Sequence, residues 1–320
     1  MIYRLLRAVG FRFDAERAHA MALGALRLTG PFRRRRAIDH DPVTMCGLPF
    51  PNRVGLAAGY DKDAVAWRAL ASLGFGHIEI GTVTPLPQPG HLRPRITRYP
   101  EREALINRMG FPSAGAEVVA RRLDGRRPRG LVVGVSIGPN AFTPPERRLD
   151  DYLSLVESFA EVADYLAVNV SSPNTAGLRQ LQGETLESVL AAIVAARNAA
   201  GGRHPPILVK LSPDLGDIVS AVRAVETSRA DGIIVGNTTT TRPGFDGPAA
   251  PGGLSGAPLA PLARDALTAV RAATRLPVIA CGGIMSAADA RDRLAAGATL
   301  VQVYTGLVYR GPGLVKEIAR

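Results

Sequence analysis

With 320 residues, 46% hydrophobic side chains and a mean hydropathy barely above zero, the chain can bury one large core. Its two cysteines, Cys46 and Cys281, lie far apart and form no close-spaced ligand cluster, which excludes a disulfide framework or a zinc site as an organising device, and no run approaches the roughly 18 uninterrupted apolar residues of a membrane-spanning helix. The net charge of +11 is lopsided: residues 1–36 carry nine Arg against Asp14 and Glu16, a net +7, leaving +4 for everything after them.

The first segment, Met1 to about Thr29, has apolar residues at helical spacing: Ile2, Leu5, Leu6 and Val9, then, beyond a break at Gly10, Ala18, Met21, Ala22, Leu26 and Leu28. Two short amphipathic helices are expected, with Asp14 as N-cap of the second and Gly30-Pro31 as its stop signal, followed at once by the run Arg33–Arg36. Exposed leucines beside a basic flank suit an interfacial membrane contact; a helical hairpin packed on the main domain, with a solvated Arg run, is the other reading of the same pattern.

From residue 54 onward, short runs rich in Val and Ile alternate with helix-like stretches. The expected strands are Val54–Ala58, His77–Gly81, Leu131–Ile137, Tyr165–Val170, Ile207–Leu211, Gly232–Gly236, Pro277–Cys281 and Thr299–Tyr304. Segments such as Asp151–Ala163, Leu186–Ala199, Leu259–Thr274 and Ala287–Ala296 read as helices between them. Eight βα units in this length predict an α/β fold, a (β/α)₈ TIM barrel over residues 37–320 with the helical extension 1–36 in front; an open doubly wound sheet is the alternative.

In a barrel, chemistry sits at the C-terminal ends of the strands, and polar residues cluster there. Ala58-Gly59-Tyr60-Asp61-Lys62 follows the first strand, Thr82 and Thr84 the second, Asn169 to Asn174 the fourth, Lys210 the fifth and Asn237-Thr238 the sixth. Gly282-Gly283 and Tyr304-Thr305-Gly306 follow the last two, where barrels often hold a phosphate through backbone N–H groups, so a phosphorylated cofactor is expected. The chain uses only three Lys (Lys62, Lys210, Lys316) among 39 basic side chains, and two of them stand at this mouth. In a chain that otherwise prefers Arg, a retained Lys suggests a task for a compact, tunable point charge. Four of seven Asn (Asn107, Asn169, Asn174, Asn237) gather there too. Amides meet the edge of a flat heterocycle bearing carbonyl and ring N–H groups; metal-assisted hydrolysis would need His or carboxylate ligands, so no metal is expected.

The segments Gly55-Leu-Ala-Ala-Gly-Tyr-Asp-Lys-Asp63, Ile80-Gly-Thr-Val-Thr-Pro85, Ile106-Asn-Arg-Met-Gly-Phe111, Asn169-Val-Ser-Ser-Pro-Asn-Thr175, Gly252-Gly-Leu-Ser-Gly256 and Gly282-Gly-Ile284 resemble those of the membrane-associated, quinone-reducing (class 2) dihydroorotate dehydrogenases, and the resemblance runs from about residue 3 to 319. It implies an FMN-containing barrel of pyrimidine biosynthesis that oxidises dihydroorotate to orotate and passes the electrons to a membrane quinone. On that resemblance Ser172 is the general base that takes a proton from C5 while hydride leaves C6 for the flavin, with Thr175 as its candidate relay partner. Lys62, Asn107, Asn169, Asn174, Asn237 and Thr238 match positions that grip the substrate, beside Arg108, Met109, Gly110 and Phe111. Lys210 matches a lysine near the flavin N1 and O2. Ala58, Gly59, Tyr60, Asp61, Thr82 and Ser136 match flavin contacts, as do Gly236, Gly256, Gly283, Tyr304 and Thr305. His19 and Arg98 match residues of a quinone tunnel. The implied setting is the cytoplasmic face of the cell membrane, held peripherally through residues 1–36.

Two positions depart from the family pattern: Ser136 stands where Asn is expected, and Gly236 where Thr is expected. They motivate one alternative, a divergent FMN-barrel relative with weakened flavin binding or another substrate. A nucleic-acid partner is not expected, because the charge excess sits on the N-terminal segment rather than around the mouth.

Overall fold

The computed structural model of the chain describes residues 2–29, 38, 40–171 and 186–320. All eight expected runs become strands of one closed parallel barrel: β1 Val54–Leu56, β2 His77–Val83, β3 Val132–Ile137, β4 Tyr165–Asn169, β5 Ile207–Leu211, β6 Gly232–Val235, β7 Val278–Cys281 and β8 Leu300–Val303. Each strand pairs with its sequence neighbour, and β8 closes on β1 through Val301–Val54, Gln302–Gly55 and Val303–Leu56. The open doubly wound sheet is thereby excluded. The strands are buried on both faces, which is why they read as continuous Val/Ile runs rather than alternating ones.

The outer helices form where expected, with shifted ends: Arg148–Phe159 in place of Asp151–Ala163, Leu186–Ala199 as read, Ala260–Ala273 and Ala287–Ala295. Ser286 starts the last of these by accepting a hydrogen bond from the Asp289 N–H at 3.1 Å. Leu155, Phe159, Leu190, Ile193, Leu267 and Val270 bury the inner helix faces against the strands.

Inside the barrel the side chains stack in layers. The layer at the N-terminal end is apolar (Val132, Leu208, Ile234, Ile279, Leu300) and is capped by a small antiparallel hairpin, Val43–Met45 with Leu48–Phe50, whose Met45 and Phe50 plug that end. Above it lie His77, Tyr165, Glu79 and Gln302, all buried. Glycines make room for the two rings: a Cβ at Gly55 would lie 2.0 Å from His77 Nε2, and one at Gly134 2.1 Å from Tyr165 Cζ. At the C-terminal end a three-stranded antiparallel sheet, Ile96–Tyr99, Ala104–Asn107 and Gly253–Gly256, rises beside the mouth. Neither small sheet has a periodic signature in sequence.

The N-terminal segment forms helices α1 (Ile2–Gly10) and α2 (Ala15–Thr29), broken where Gly10 predicts it. Asp14 caps α2, its Oδ1 accepting from the N–H of Glu16 at 3.1 Å and of Arg17 at 3.0 Å. No described helix is long and apolar enough to cross a membrane. The pair is docked on the barrel. Tyr3 donates to the Val308 carbonyl at 2.6 Å and Arg7 to that of Tyr309 at 2.6 Å. Arg95, itself 7% exposed, grips both Glu16 oxygens, with Nε–Oε2 at 3.0 Å and Nη2–Oε1 at 2.6 Å. Burial alone would raise the Glu16 carboxyl; Arg95 and Arg93 bring it below its usual value. The docked hairpin and the membrane contact are therefore not exclusive: one face packs on the barrel, while Leu5, Leu6, Val9, Phe13, Met21 and Leu28 remain exposed. The run Arg33–Arg36 lies outside the described residues.

Candidate active site

A cleft of about 970 Å³, its solvent-open mouth included, lies at the C-terminal end of the strands, where the fold predicts it. Its described wall contains four amides, Asn107, Asn169, Asn237 and Gln302, two ammonium groups, Lys62 and Lys210, and no Asp, Glu or His.

Asn107, Asn169, Asn237 and Lys210 are held by their neighbours. Asn169, the last residue of β4, donates from Nδ2 to Thr82 Oγ1 at 2.8 Å, and Thr82 bonds Ser136 Oγ at 3.0 Å. Its Oδ1 accepts from Ser171 Oγ at 3.2 Å, and Ser171 Oγ in turn accepts from Asn237 Nδ2 at 2.8 Å. The Thr238 N–H fixes the far side of the Asn237 amide at 2.8 Å. Two amides on strands β4 and just beyond β6 are thus locked into one frame through Ser171. Asn107 comes from the side sheet, where it ends the strand Ala104–Asn107 and leads into Met109, Gly110 and Phe111, which line the cleft.

Lys210 sits on the floor, 5% exposed, and donates from Nζ to Glu79 Oε1 at 3.3 Å. Burial lowers its proton affinity, but Glu79 more than offsets that and the net shift is upward. Lys62 has no such partner within the described barrel interior. Burial pushes it down to about 8, with Asp63 opposing and Arg95 and Lys210 adding to the fall.

At the opposite end of the cleft Gly256, Gly282, Gly283 and Gly306 form the wall with Tyr304 and Thr305. Gly283 has φ +69°, and a Cβ there would lie 2.2 Å from the Ala260 Cα, so bare backbone is built into this end. Such a surface suits a phosphate, held by N–H groups at a place no side chain can block.

Of the sequence-predicted positions, Ala58, Gly59, Lys62, Thr82, Lys210 and Gly236 line the cleft, with the amides and the glycine end already described. Four stand behind the wall instead. Ser136 is wholly buried and supports Thr82. Asp61 turns its carboxylate to the N–H groups of Val65 and Ala66, both at 2.8 Å, and burial raises it to about 6. Arg108 reaches outward to the Pro94 carbonyl at 3.2 Å. Tyr60 lies between His19 and Tyr304, with ring centroids 4.9 Å and 5.6 Å away. Ser172, Asn174 and Thr175 lie outside the described residues. Gly236 is explained by its backbone: with φ +118° and a would-be Cβ 1.8 Å from the Cys281 carbonyl oxygen, this conformation has no space for the threonine of the family pattern.

His19 and Arg98 join the helical pair to the barrel. His19 Nε2 bonds the Tyr60 carbonyl at 2.7 Å, and Arg98 donates to the carbonyls of Gly10 and Phe13 while lying 4.6 Å from the Phe11 ring centre. From α2 the rings of His19, Tyr60 and Tyr304 therefore form a continuous path to the cleft wall. Sequence reasoning missed Glu79, Ser171 and the Glu16–Arg95 pair. Glu79 alone had a visible signal, a charged residue inside the apolar run His77-Ile-Glu-Ile80.

Comparison with known proteins agrees with this architecture. The family described as Dihydroorotate dehydrogenase matches residues 42–320. A protein of Acidithiobacillus ferrooxidans named dihydroorotate dehydrogenase (quinone) is 48% identical, over 99% of this chain and 93% of its own length. One of the same name from Aromatoleum aromaticum is 44% identical, over 100% of this chain and 95% of its own. The crystal structure of DHODH from Eimeria tenella in complex with ferulenol superposes with a TM-score of 0.88 at 36% identity, covering 95% of this chain and 89% of that one. This chain belongs to the dihydroorotate dehydrogenase family.

Proposed function

We propose that this chain oxidises dihydroorotate to orotate, with FMN as the resident electron carrier and a membrane quinone as the final acceptor. The observation that carries the reading is a cleft walled by amides and two ammonium groups at one end and by bare glycine backbone at the other. The residues present fit FMN: Gly256, Gly283 and Thr305 would hold its phosphate, and Thr82 and Lys210 its ring. When bound, FMN supplies the acceptor for the hydride that leaves C6 of the substrate.

The chain's own residues do the rest. Asn107, Asn169 and Asn237, with Asn174, meet the carbonyl and N–H edge of the substrate ring, and Lys62 pairs its carboxylate. The amide orientations of Asn169 and Asn237, locked through Ser171, determine which edge of the ring is presented. Ser172 removes the C5 proton, with Thr175 as the relay partner. Residues 1–36 form the membrane and quinone-access segment and residues 37–320 the catalytic barrel. The apolar side chains exposed on α1 and α2 rest on the cytoplasmic face of the membrane, and the Arg33–Arg36 run adds about 1 kcal/mol per residue of attraction to anionic lipid.

The test is anaerobic stopped-flow absorbance. Purified protein is expected to be yellow, to bleach on mixing with dihydroorotate and to recover its colour on addition of a membrane quinone. A yellow protein that stays unbleached would assign the barrel another substrate.

The Lys62 environment predicts a pH limb. The protonated amine binds the anionic substrate and the neutral amine does not, so activity is full below the folded value of about 8 and lost above it. We expect kcat/KM to fall about tenfold per pH unit above that point, since this parameter reports groups of the free enzyme. Lys62→Arg should abolish the limb, because a guanidinium keeps its proton. A wild-type profile flat to high pH would remove Lys62 from substrate binding.

A further inference from the structure

Beneath the cleft, inside the barrel, lies a buried polar layer that the reaction as described does not use. Glu79 is its centre. It projects from β2 with zero exposure, and apart from Asp61, outside the barrel, it is the only acid in the buried class among the described residues. Tyr165 of β4 donates its hydroxyl to Glu79 Oε2 at 3.0 Å, Gln302 of β8 donates Nε2 to the same oxygen at 2.8 Å, and Lys210 of β5 donates to Oε1 at 3.3 Å. Three strands thus converge on one carboxylate.

A carboxylate in a dry barrel core is costly unless it is paired and hydrogen-bonded, and here both conditions are met. The other titratable members of the layer carry no charge near neutral pH. Burial lowers His77 to about 4, leaving it neutral, and raises Tyr165 well above its usual value. Cys281 of β7, also facing Lys210, is raised by burial. Lys62 is the remaining cation near Lys210, and it repels. The charge balance at the cleft floor therefore reduces to the pair Glu79 and Lys210.

We propose that Glu79 is a positioning residue: it holds the Lys210 side chain on the cleft floor and keeps it charged, so that a fixed positive charge faces whatever electron carrier the cleft holds. This rests on the flavin reading above for its redox consequence, but not for the charge itself. A cation there favours the reduced, more anionic carrier over the oxidised one. Without Glu79, burial acts on Lys210 with only Cys281 against it, and its proton is lost at lower pH. The floor would then lose its charge as the pH rises.

With only three lysines in the chain, the charge can be read directly. In protein carrying ¹³C- and ¹⁵N-labelled lysine, three side-chain signals are expected, assigned by losing one each in Lys62→Arg and Lys316→Arg. The wild-type Lys210 signal should remain that of an ammonium group to pH 10. In Glu79→Gln, which keeps an acceptor for Tyr165, it should titrate with at least tenfold lower proton affinity. On FMN-loaded protein, the midpoint potential of Glu79→Gln relative to wild type should move negative between pH 6 and pH 10. The expected change corresponds to roughly tenfold in the ratio of reduced to oxidised FMN affinity, or roughly 30 mV for a two-electron couple. In the Lys210→Met background, Glu79→Gln should leave that pH dependence unchanged.

A Lys210 titration unmoved by Glu79→Gln, or a difference in potential that is constant with pH, would overturn the proposal. If Glu79→Gln does not fold, the wild-type titration decides: loss of the Lys210 proton below pH 10 counts against it and retention supports it. Wild-type protein that takes up no FMN would defeat the flavin reading, whereas the lysine titration would still stand on its own.

Discussion

Replacing Ser172 with alanine is expected to slow dihydroorotate oxidation by about 10²–10⁴-fold, the usual contribution of a positioned general base, while the protein stays yellow and still binds orotate. Ser172 itself is outside the described residues. Strand β4 ends at Asn169 in the cleft wall, and the described chain runs on from it to Ser171. Ser171 is already committed: its hydroxyl donates to Asn169 Oδ1 at 3.2 Å and accepts from Asn237 at 2.8 Å. The two serines therefore make distinct predictions. Ser171→Ala loosens the amide frame and should raise KM more than it lowers kcat, whereas Ser172→Ala should lower kcat with little change in orotate affinity. The measurement is the anaerobic bleaching rate at saturating dihydroorotate; wild-type bleaching in Ser172→Ala would remove it as the base.

The barrel was legible because parallel strands buried on both faces leave continuous Val/Ile runs, as in Leu131–Ile137 and Ile207–Leu211. Four of the eight misplaced strand ends ran a residue or two too far at the mouth. Ala57, Ala58, Gly236 and Tyr304 continue the apolar or small pattern, yet leave the ladder to form the cleft wall. The hairpin Val43–Met45 with Leu48–Phe50 and the side sheet were not legible. Their strands have three or four residues, and Ala104–Asn107 pairs with Gly253–Gly256 across most of the barrel sequence, so no local period marks them.

Within the site, the scarcity of Lys singled out Lys62 and Lys210, and both line the cleft. Contiguous motifs were coarser guides, because successive residues face different ways. Asn107 and Met109 line the cleft while Arg108 between them turns to Pro94. Gly59 and Lys62 line it while Asp61 fixes the following turn. The same alternation, read along His77-Ile-Glu-Ile80, puts His77 and Glu79 on one face of β2, but only closure of the barrel makes that face an interior.

Deleting residues 1–36 is expected to separate the two half-reactions. The barrel closes on its own strands and keeps its N-terminal plug, Met45 and Phe50, so the truncated protein should fold, bind flavin and be bleached by dihydroorotate as before. Reoxidation by a long-chain quinone in vesicles should fall by roughly two orders of magnitude or more, because an acceptor held beside the wall becomes one met by collision. A soluble dye acceptor, which needs no membrane route, should work unchanged. The contacts between the pair and the barrel explain why a milder change can act in the same direction. Arg95 is buried against Glu16, and removing that partner leaves an uncompensated guanidinium, at a cost of about 3–5 kcal/mol that undocking α2 would relieve. Glu16→Gln should therefore mimic the deletion in part, weakening quinone reoxidation and vesicle binding together. Since His19, on the same helix, bonds the Tyr60 carbonyl and packs on its ring, loss of α2 also opens the path His19–Tyr60–Tyr304 to water. Quinone kinetics unchanged in the truncated protein would show that the acceptor enters elsewhere and that the helical pair serves only to dock.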